Sequence, residues 1–380
     1  GWGVVAGLLL PGSILAQGVL PTINVNVDGP GTPSFDTPAA LSVVELDSAD
    51  QDSPGVVLSE FLALVPGVAV RNRGNLAQDE QVSVRGFGAR STFGVRGVRL
   101  YADGIPATMP DGSGQISHFD FTSADRITVL RGPFSALYGN SSGGVIAVHS
   151  ADGEGPAQLR SRVMAGSFGS AVIGANLLGS QGPIGYNVDL GRFQTDGYCE
   201  HSAARRDIFN AKLTASASES DRLTFVANAV SVPYAQDPLG LNREQFEDDP
   251  RQATAVAELF NTRKEVGQQQ LGMHWEHSVG ASQSLRVMAY GGHREVEQFL
   301  AIPASAQANP LHAGGVIDLD GDYAGSDLRW SWQTDTASLD VGVSVDGQNQ
   351  RRRGYENFSG DELGVRGELR LKLFNKDSDV

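Results

Sequence analysis

Gly139-Asn140-Ser141-Ser142-Gly143 has the G-x-S-x-G spacing of a hydrolase nucleophile, in which a strained turn presents a serine hydroxyl to a carbonyl. That chemistry needs a long helix after the turn. The β-branched run Val145-Ile146-Ala147-Val148 follows instead, and no histidine is placed by context to act as base. Gly139 to Gly144 also has the glycine spacing of a phosphate-cradling loop, but Val145 and Ile146 stand at the Lys and Ser/Thr places. Gly86-Phe87-Gly88 begins a dinucleotide fingerprint, yet Ser91 replaces its third glycine. Asp318, Asp320 and Asp322 could hold Ca²⁺, but an EF-hand needs glycine where Tyr323 stands, so the three read as a solvated loop end. His274 and His277 are three apart and would face opposite sides of a strand. Cys199 is the single cysteine, which excludes an internal disulfide and a cysteine-based zinc site. No catalytic residue and no metal site is expected.

One charge feature remains. Arg71, Arg73, Arg85, Arg90, Arg96 and Arg99 stand against only Asp79 and Glu80 in that stretch. Guanidinium groups pair bidentately with carboxylates, so those facing a cavity suit an anionic ligand rich in carboxylate or catecholate oxygens. Others, especially Arg85 and Arg99, would form buried ion pairs with a surrounding wall or with Asp103. The loop over 233–262 is acidic, with Asp237, Glu244, Glu247, Asp248, Asp249 and Glu258, and reads as a solvated outer surface.

The elements around these residues fall into two textures. The chain has 380 residues, enough for two or three domains, and its net charge of −15 argues against nucleic acid as a partner. Its 47 glycines are about 12% of the chain, against a usual ~7%, which favours turn-rich β structure. Val4 to Leu10, followed by Pro11-Gly12 and Ala16-Gln17, resembles the apolar core and cleavage site of a signal peptide over 1–17, cut at its front. Thr22-Ile23-Asn24-Val25-Asn26-Val27 alternates strictly and reads as a lone strand within 21–28, able to accept a partner strand. Residues 36–152 read as a small α+β domain. It has a helix over Pro54 to Val65, strands at Val68 to Arg71, Gln81 to Arg85, Arg99 to Asp103, Arg126 to Leu130 and Gly143 to His149, and a helical turn at Ser135 to Tyr138.

From residue 157 to 380 the pattern changes to long alternating strands, about ten of them, the last over 363–374. Tight turns near 182–183, 218–221, 280–282 and 334–336 alternate with long loops near 196–205, 233–262, 299–320 and 350–362. Such sorting is expected of an outer-membrane barrel, with periplasmic turns and extracellular loops. Trp330 and Trp332 share one face of a strand and suit an interfacial girdle. No run of ~20 apolar residues occurs, so an ordinary transmembrane helix is excluded.

Leu64-Val65-Pro66-Gly67-Val68, Val84-Arg85-Gly86-Phe87-Gly88 and Tyr101-Ala102-Asp103-Gly104-Ile105-Pro106 resemble the plug domain of the TonB-dependent outer-membrane receptors. So do Arg131-Gly132-Pro133, Tyr138-Gly139 and Gly143-Gly144, in the same order and spacing. The resemblance implies an α+β plug followed by an antiparallel transmembrane β-barrel. About 22 strands close such a barrel, so the ten here read as the front part of a longer protein. It implies that Thr22 to Val27 is the TonB box, which TonB, driven by the inner-membrane ExbB-ExbD motor, takes up as an added strand. It implies no enzyme activity and no cofactor, residence in outer-membrane lipid, and ligand contact through Arg90, Ser91, Phe93, Arg96, Met109, Asp111 and Gln115. A narrower likeness, through Ala77-Gln78-Asp79 and Pro106-Ala107-Thr108-Met109-Pro110-Asp111-Gly112 among others, is to the branch that carries pyrroloquinoline quinone. A ferric siderophore is the alternative cargo, and a secreted enzyme with a β-rich domain the distant one.

Overall fold

Period-two alternation builds the larger part of the molecule. The computed structural model describes residues 3–5, 40–46, 53–91, 94–114, 116–132, 138–139, 142–334, 337–370 and 376–379. The expected TonB box, most of the signal segment, Phe93, Gln115 and Pro133 to Leu137 lie outside the described residues. Nine long strands, Gln158–Ala165, Ala171–Gln181, Ile184–Thr195, Ala204–Ser216, Asp221–Gln236, Arg263–Val279, Gln283–Phe299, Val316–Gln333 and Ser338–Tyr355, form an antiparallel meander in chain order. Two short backbone segments, Gly3–Val5 and Lys376–Asp379, pair with Ser338–Tyr355. The expected strand over 363–374 is not formed in its described part. Glu362–Leu363 pairs with Phe358–Ser359 in a small hairpin, and the chain then folds back so that the main-chain NH groups of Gly367 and Arg370 bond the carbonyls of Glu356 and Gly354.

Because neighbouring strands are antiparallel, successive connections lie at opposite ends of this wall. The links 182–183, 217–220, 280–282 and 334–337 share one end, and 196–203, 237–262 and 300–315 share the other. The long loop 237–262 carries two short helices, Arg243–Asp248 and Ala255–Leu259. Alternation also splits the wall by polarity. Asn187, Asn210, Lys212, Asn228, Lys264, Gln270 and His274 point inward and are buried, whereas Leu159, Ile173, Leu190, Leu213, Leu271 and Leu328 are exposed on the outward face.

Inside the wall sits the mixed domain. Its five-stranded sheet runs in the order Ala40–Glu45, Ala124–Arg131, Gly144–Ser150, Val98–Ala102, Ile105–Pro106, with Gly144–Ser150 parallel to Val98–Ala102. Leu58, Leu62, Val82, Leu100, Phe119, Ile127 and Ile146 form its core. The predicted helix over Pro54 to Val65 shrinks to Ser59–Leu62. Gly55 takes φ +68°, and the free NH groups of Gly55, Val56 and Val57 donate to the Glu60 carboxylate instead of lying within a longer helix. Glu80 accepts the NH groups of Leu58 and Ser59 at 2.7 and 3.1 Å, capping the helix from a distant loop. Arg85-Gly86 and Asp103-Gly104 have positive φ at both residues, as two-residue turns between right-twisted strands require.

Gly144 begins its strand at φ +140°, and a Cβ there would stand 2.1 Å from the Leu130 carbonyl oxygen on the next strand. Gly144→Ala is therefore expected to destabilise the domain by about 3 kcal/mol or more. Gly182→Ala, at φ +61° with nothing within 4 Å of the new Cβ, is expected to cost only ~1 kcal/mol. Chemical-denaturation midpoints of the two variants test the ranking.

Candidate functional site

The wall grips the plug-like domain through polar side chains spread over several strands. Arg206, fully buried, donates to the carbonyls of Ser117 (3.0 Å), Val56 (3.4 Å) and Phe119. Asn187 donates to the Ser123 and Ala151 carbonyls, and Asn228 to that of His118. Lys212 stands 3.3 Å from Asp103 and 2.7 Å from Asp152, and donates to the Ser150 carbonyl at 3.0 Å. Asp103 also accepts the Ser150 NH and hydroxyl, and its own carbonyl oxygen lies 2.8 Å from His274 Nε2. Lys212 and Asp103 side chains are each only 3% exposed, while Asp152, at 35%, is the edge of the cluster that meets solvent.

The loop 72–80 reaches the long-loop end of the wall. Asp79 pairs with Lys264 at 2.7 Å, and Gln78 bonds Asp237 at the start of loop 237–262. Ala77 packs among Ala204, Val232, Val266 and Val296. Asp237 is buried, which corrects its expected place on a solvated surface, while Glu244, Glu247, Asp248, Asp249 and Glu258 are exposed as expected. Sequence reasoning misses Lys212, Arg206, His274 and Lys264 as contacts. Isolated polar residues on alternating strands carry no signal of which face meets a partner.

The arginines divide unevenly. Arg99 is buried and pairs with Asp346 of the wall at 3.2 Å, as expected. Arg85 is exposed at the tip of its turn and makes no wall or Asp103 ion pair among the described residues, because the turn points away from the sheet core; Lys212 takes the Asp103 role. Arg71, Arg73, Arg90 and Arg96 are exposed. Among the expected ligand contacts, Arg96 pairs with Asp111 at 3.4 Å and also donates to its carbonyl. Ser91 donates to the Gly94 carbonyl, and Asp111 accepts from Ser113. The strand pair Val95–Arg96 with Ser113–Gly114 thus brings two of the predicted loops together. Met109 packs apart from them, against Ile105, Val226, Met288, Tyr290 and Tyr323. A cavity of about 200 Å³ lies between Arg99 and Tyr101 of the inner domain and Tyr290, Asp327 and Asp346 of the wall.

The remaining signature residues are structural. Arg131 donates to the Ala40 carbonyl (3.2 Å), the Ser42 hydroxyl (2.9 Å) and the Pro66 carbonyl, tying strand Ala40–Glu45 and the segment at Pro66 to its own strand. Tyr138 stacks edge-on against Tyr101 at 5.9 Å. A strand, Gly144–Ser150, follows Gly143 where a hydrolase needs a helix.

Residues 33–145 match the family described as TonB-dependent Receptor Plug Domain. The match falls on the inner domain and covers less than half of the chain. The chain is 29% identical over 132 residues to a hemin receptor of Yersinia enterocolitica, covering 34% of this chain and 18% of that protein. It is 31% identical over 177 residues to the vitamin B12 transporter BtuB of Photobacterium profundum, covering 45% of this chain and 27% of that one. The fold is similar to that of the unliganded ferric citrate transporter FecA, with a TM-score of 0.67 at 18% identity, over 90% of this chain and 51% of that chain. The chain thus spans about a fifth to a quarter of the curated relatives it matches, and half of the solved structure. The wall is accordingly part of a barrel.

Two consequences of burial can be measured. Lys212→Met leaves Asp103 buried without its cation and is expected to destabilise the plug by about 3–5 kcal/mol; Asp103→Asn in the same chain should recover part of that loss. Burial, with Arg294 and Arg206 nearby, holds the His118 imidazole down to about 3. Its depressed folded value means that unfolded chains take up the proton first as pH falls below 6.5. Stability is then lost between pH 6.5 and about 3, at up to ~1.4 kcal/mol per pH unit relative to His118→Phe, whose pH profile lacks this slope. Denaturation of both proteins across that range reads the difference.

Proposed function

We propose that this chain belongs to a TonB-dependent receptor that takes up a scarce ligand across the Gram-negative outer membrane. The observation that carries the reading is a plug domain seated by polar contacts inside a wall that is polar within and apolar without. Such a wall suits lipid on its outer face, where closed antiparallel strands satisfy every backbone group. Trp275, Trp330 and Trp332 lie on the outward face near the short-turn end, at the level of an interfacial girdle. Among the described residues no helix is long and apolar enough to cross a membrane.

The cargo we infer is a ferric siderophore complex or a related metal chelate. The relatives are named for hemin, ferrioxamine and vitamin B12, and the solved neighbours for ferric citrate and ferric yersiniabactin. None of these names supports pyrroloquinoline quinone, the ligand expected from the narrower likeness, and the alternative cargo fits better. Exposed Arg71, Arg73, Arg90 and Arg96 supply positive charge for anionic oxygen donors. In this reading Arg90, Ser91, Phe93, Arg96, Met109, Asp111 and Gln115 contact the ligand, Thr22 to Val27 is the TonB box, and TonB with its inner-membrane motor supplies the work. The receptor carries out no covalent chemistry.

Calorimetry on the chain in detergent micelles, with ferrioxamine, hemin and pyrroloquinoline quinone in separate titrations, tests the cargo. Binding of an iron complex is expected, weakened about tenfold by Arg96→Gln; binding of the quinone alone would overturn this choice. Val25→Cys is expected to form a disulfide with a cysteine-bearing TonB fragment, more with ligand than without.

A further inference from the structure

The expected solvated loop end at Asp318, Asp320 and Asp322 is instead part of strand Val316–Gln333, and all three side chains lie on the outward face of the wall. Their cross-strand partners are Glu297, Glu295 and His293 in the same order. Two like-charge pairs, Glu297 with Asp318 and Glu295 with Asp320, therefore stand one above the other, an arrangement that destabilises a sheet unless a cation intervenes. The first acid pair has one: the Arg366 guanidinium bridges Asp318 at 2.8 Å and Glu297 at 2.9 Å. At the next level Arg351 stands opposite Asp320 on the far strand. On the Glu295 side, the group that reaches into the corner is an imidazole.

We propose that His293, Glu295 and Asp320 bind a divalent first-row transition cation such as Zn²⁺. His293 Nε2 lies 3.0 Å from Glu295 Oε1 and 3.9 Å from Asp320 Oδ2, and the three ligand atoms fall within 4.8 Å of one another. His293 Nδ1 stands 2.8 Å from Asp322 Oδ1. A carboxylate accepting the Nδ1 proton fixes the ring and leaves Nε2 to the metal, the usual support of a metal-binding histidine. A cation in this corner takes the place of the Nε2 proton, so binding releases it to solvent. One imidazole and two carboxylates are a donor set for zinc-like ions, with water in the remaining positions, whereas Ca²⁺ and Mg²⁺ favour oxygen alone. Adjacent, hydrogen-bonded strands hold the donors, so little ordering is needed on binding. The next outward level toward the short turns is Leu271, Gly291 and Ala324, the edge of the apolar stripe. The cation would thus sit just on the long-loop side of that stripe and clasp two neighbouring strands there.

Calorimetric titration of Zn²⁺ into the full chain in detergent micelles near neutral pH tests the site. One saturable site is expected. His293→Gln should weaken it by roughly 100-fold and Asp322→Asn by about tenfold, while Glu297→Gln, beside the Arg366 bridge, should leave it unchanged. All these positions are surface ones, and circular dichroism checks that the wall is intact in each variant. Co²⁺ in place of Zn²⁺ should give visible bands that His293→Gln removes. Absence of a saturable site, equal affinity in His293→Gln, or Ca²⁺ binding as tightly as Zn²⁺ would each overturn the assignment.

Discussion

The fold rests on an inversion of the usual polarity of a sheet. In a soluble sandwich the enclosed face is apolar and the solvated face polar. Here Asn176, Asn187, Asn210, Lys212, Gln268, Gln270 and His274 are enclosed, and leucines and valines are outside. Every enclosed polar group without a partner costs about 1–3 kcal/mol, so the wall needs something inside it that offers hydrogen-bond acceptors. The plug does so largely with its backbone: the carbonyls of Val56, Asp103, Ser117, His118, Phe119, Ser123, Ser150 and Ala151 receive wall side chains. Main-chain acceptors serve this purpose whatever side chains the loops carry.

A polar joint also keeps the two bodies distinct. The principal core of the plug is made of its own residues, from Leu58 to Val148, and includes no wall residue among those described. Apolar contact across the joint is confined to two small clusters among the described residues, one around Ala77 and one around Ile105. Gly272 lets the wall close on Ile105, since a Cβ there would fall 2.6 Å from it. A joint of hydrogen bonds can exchange its partners for water with a small net change in free energy, whereas separating a packed apolar face cannot. The joint between the inner domain and the wall is mainly of the first kind.

Much of this is legible in the residues, and what is not has definable causes. The alternation of Asp221 to Ala229 or of Leu339 to Asp346 is a local property, so nine strands and the sorting of their connections can be read directly. The plug signature is readable because it is made of turns, and Arg85-Gly86 and Asp103-Gly104 have conformations that few other residues accept. The helix at Pro54 is overestimated because apolar spacing cannot report Gly55 at positive φ or a carboxylate, Glu80, arriving from twenty-odd residues away. Strand Ala40–Glu45 escapes notice because its edge is fixed by Arg131, not by its own pattern. The acidic residues from 318 pass for a loop end because three alternating aspartates look alike on a strand and in a turn, and only the register against His293 and Glu295 tells them apart.

The two aspartate- and arginine-bearing turns show where specificity enters. Arg85-Gly86 and Asp103-Gly104 share the same dihedral pattern, the first closing a single bridge between Val84 and Phe87 and the second linking two short strands. In isolation nothing distinguishes their roles. Yet Arg85 points to solvent, while Asp103 is enclosed by Lys212, Ser150 and, through its carbonyl, His274. Part of the difference is made by Ser150 of the plug's own sheet and part by wall strands more than a hundred residues later, so it cannot be a property of the turn motif. A plug signature therefore specifies the shape of the plug, and contacts from elsewhere in the plug and from the wall together decide which of its turns are held.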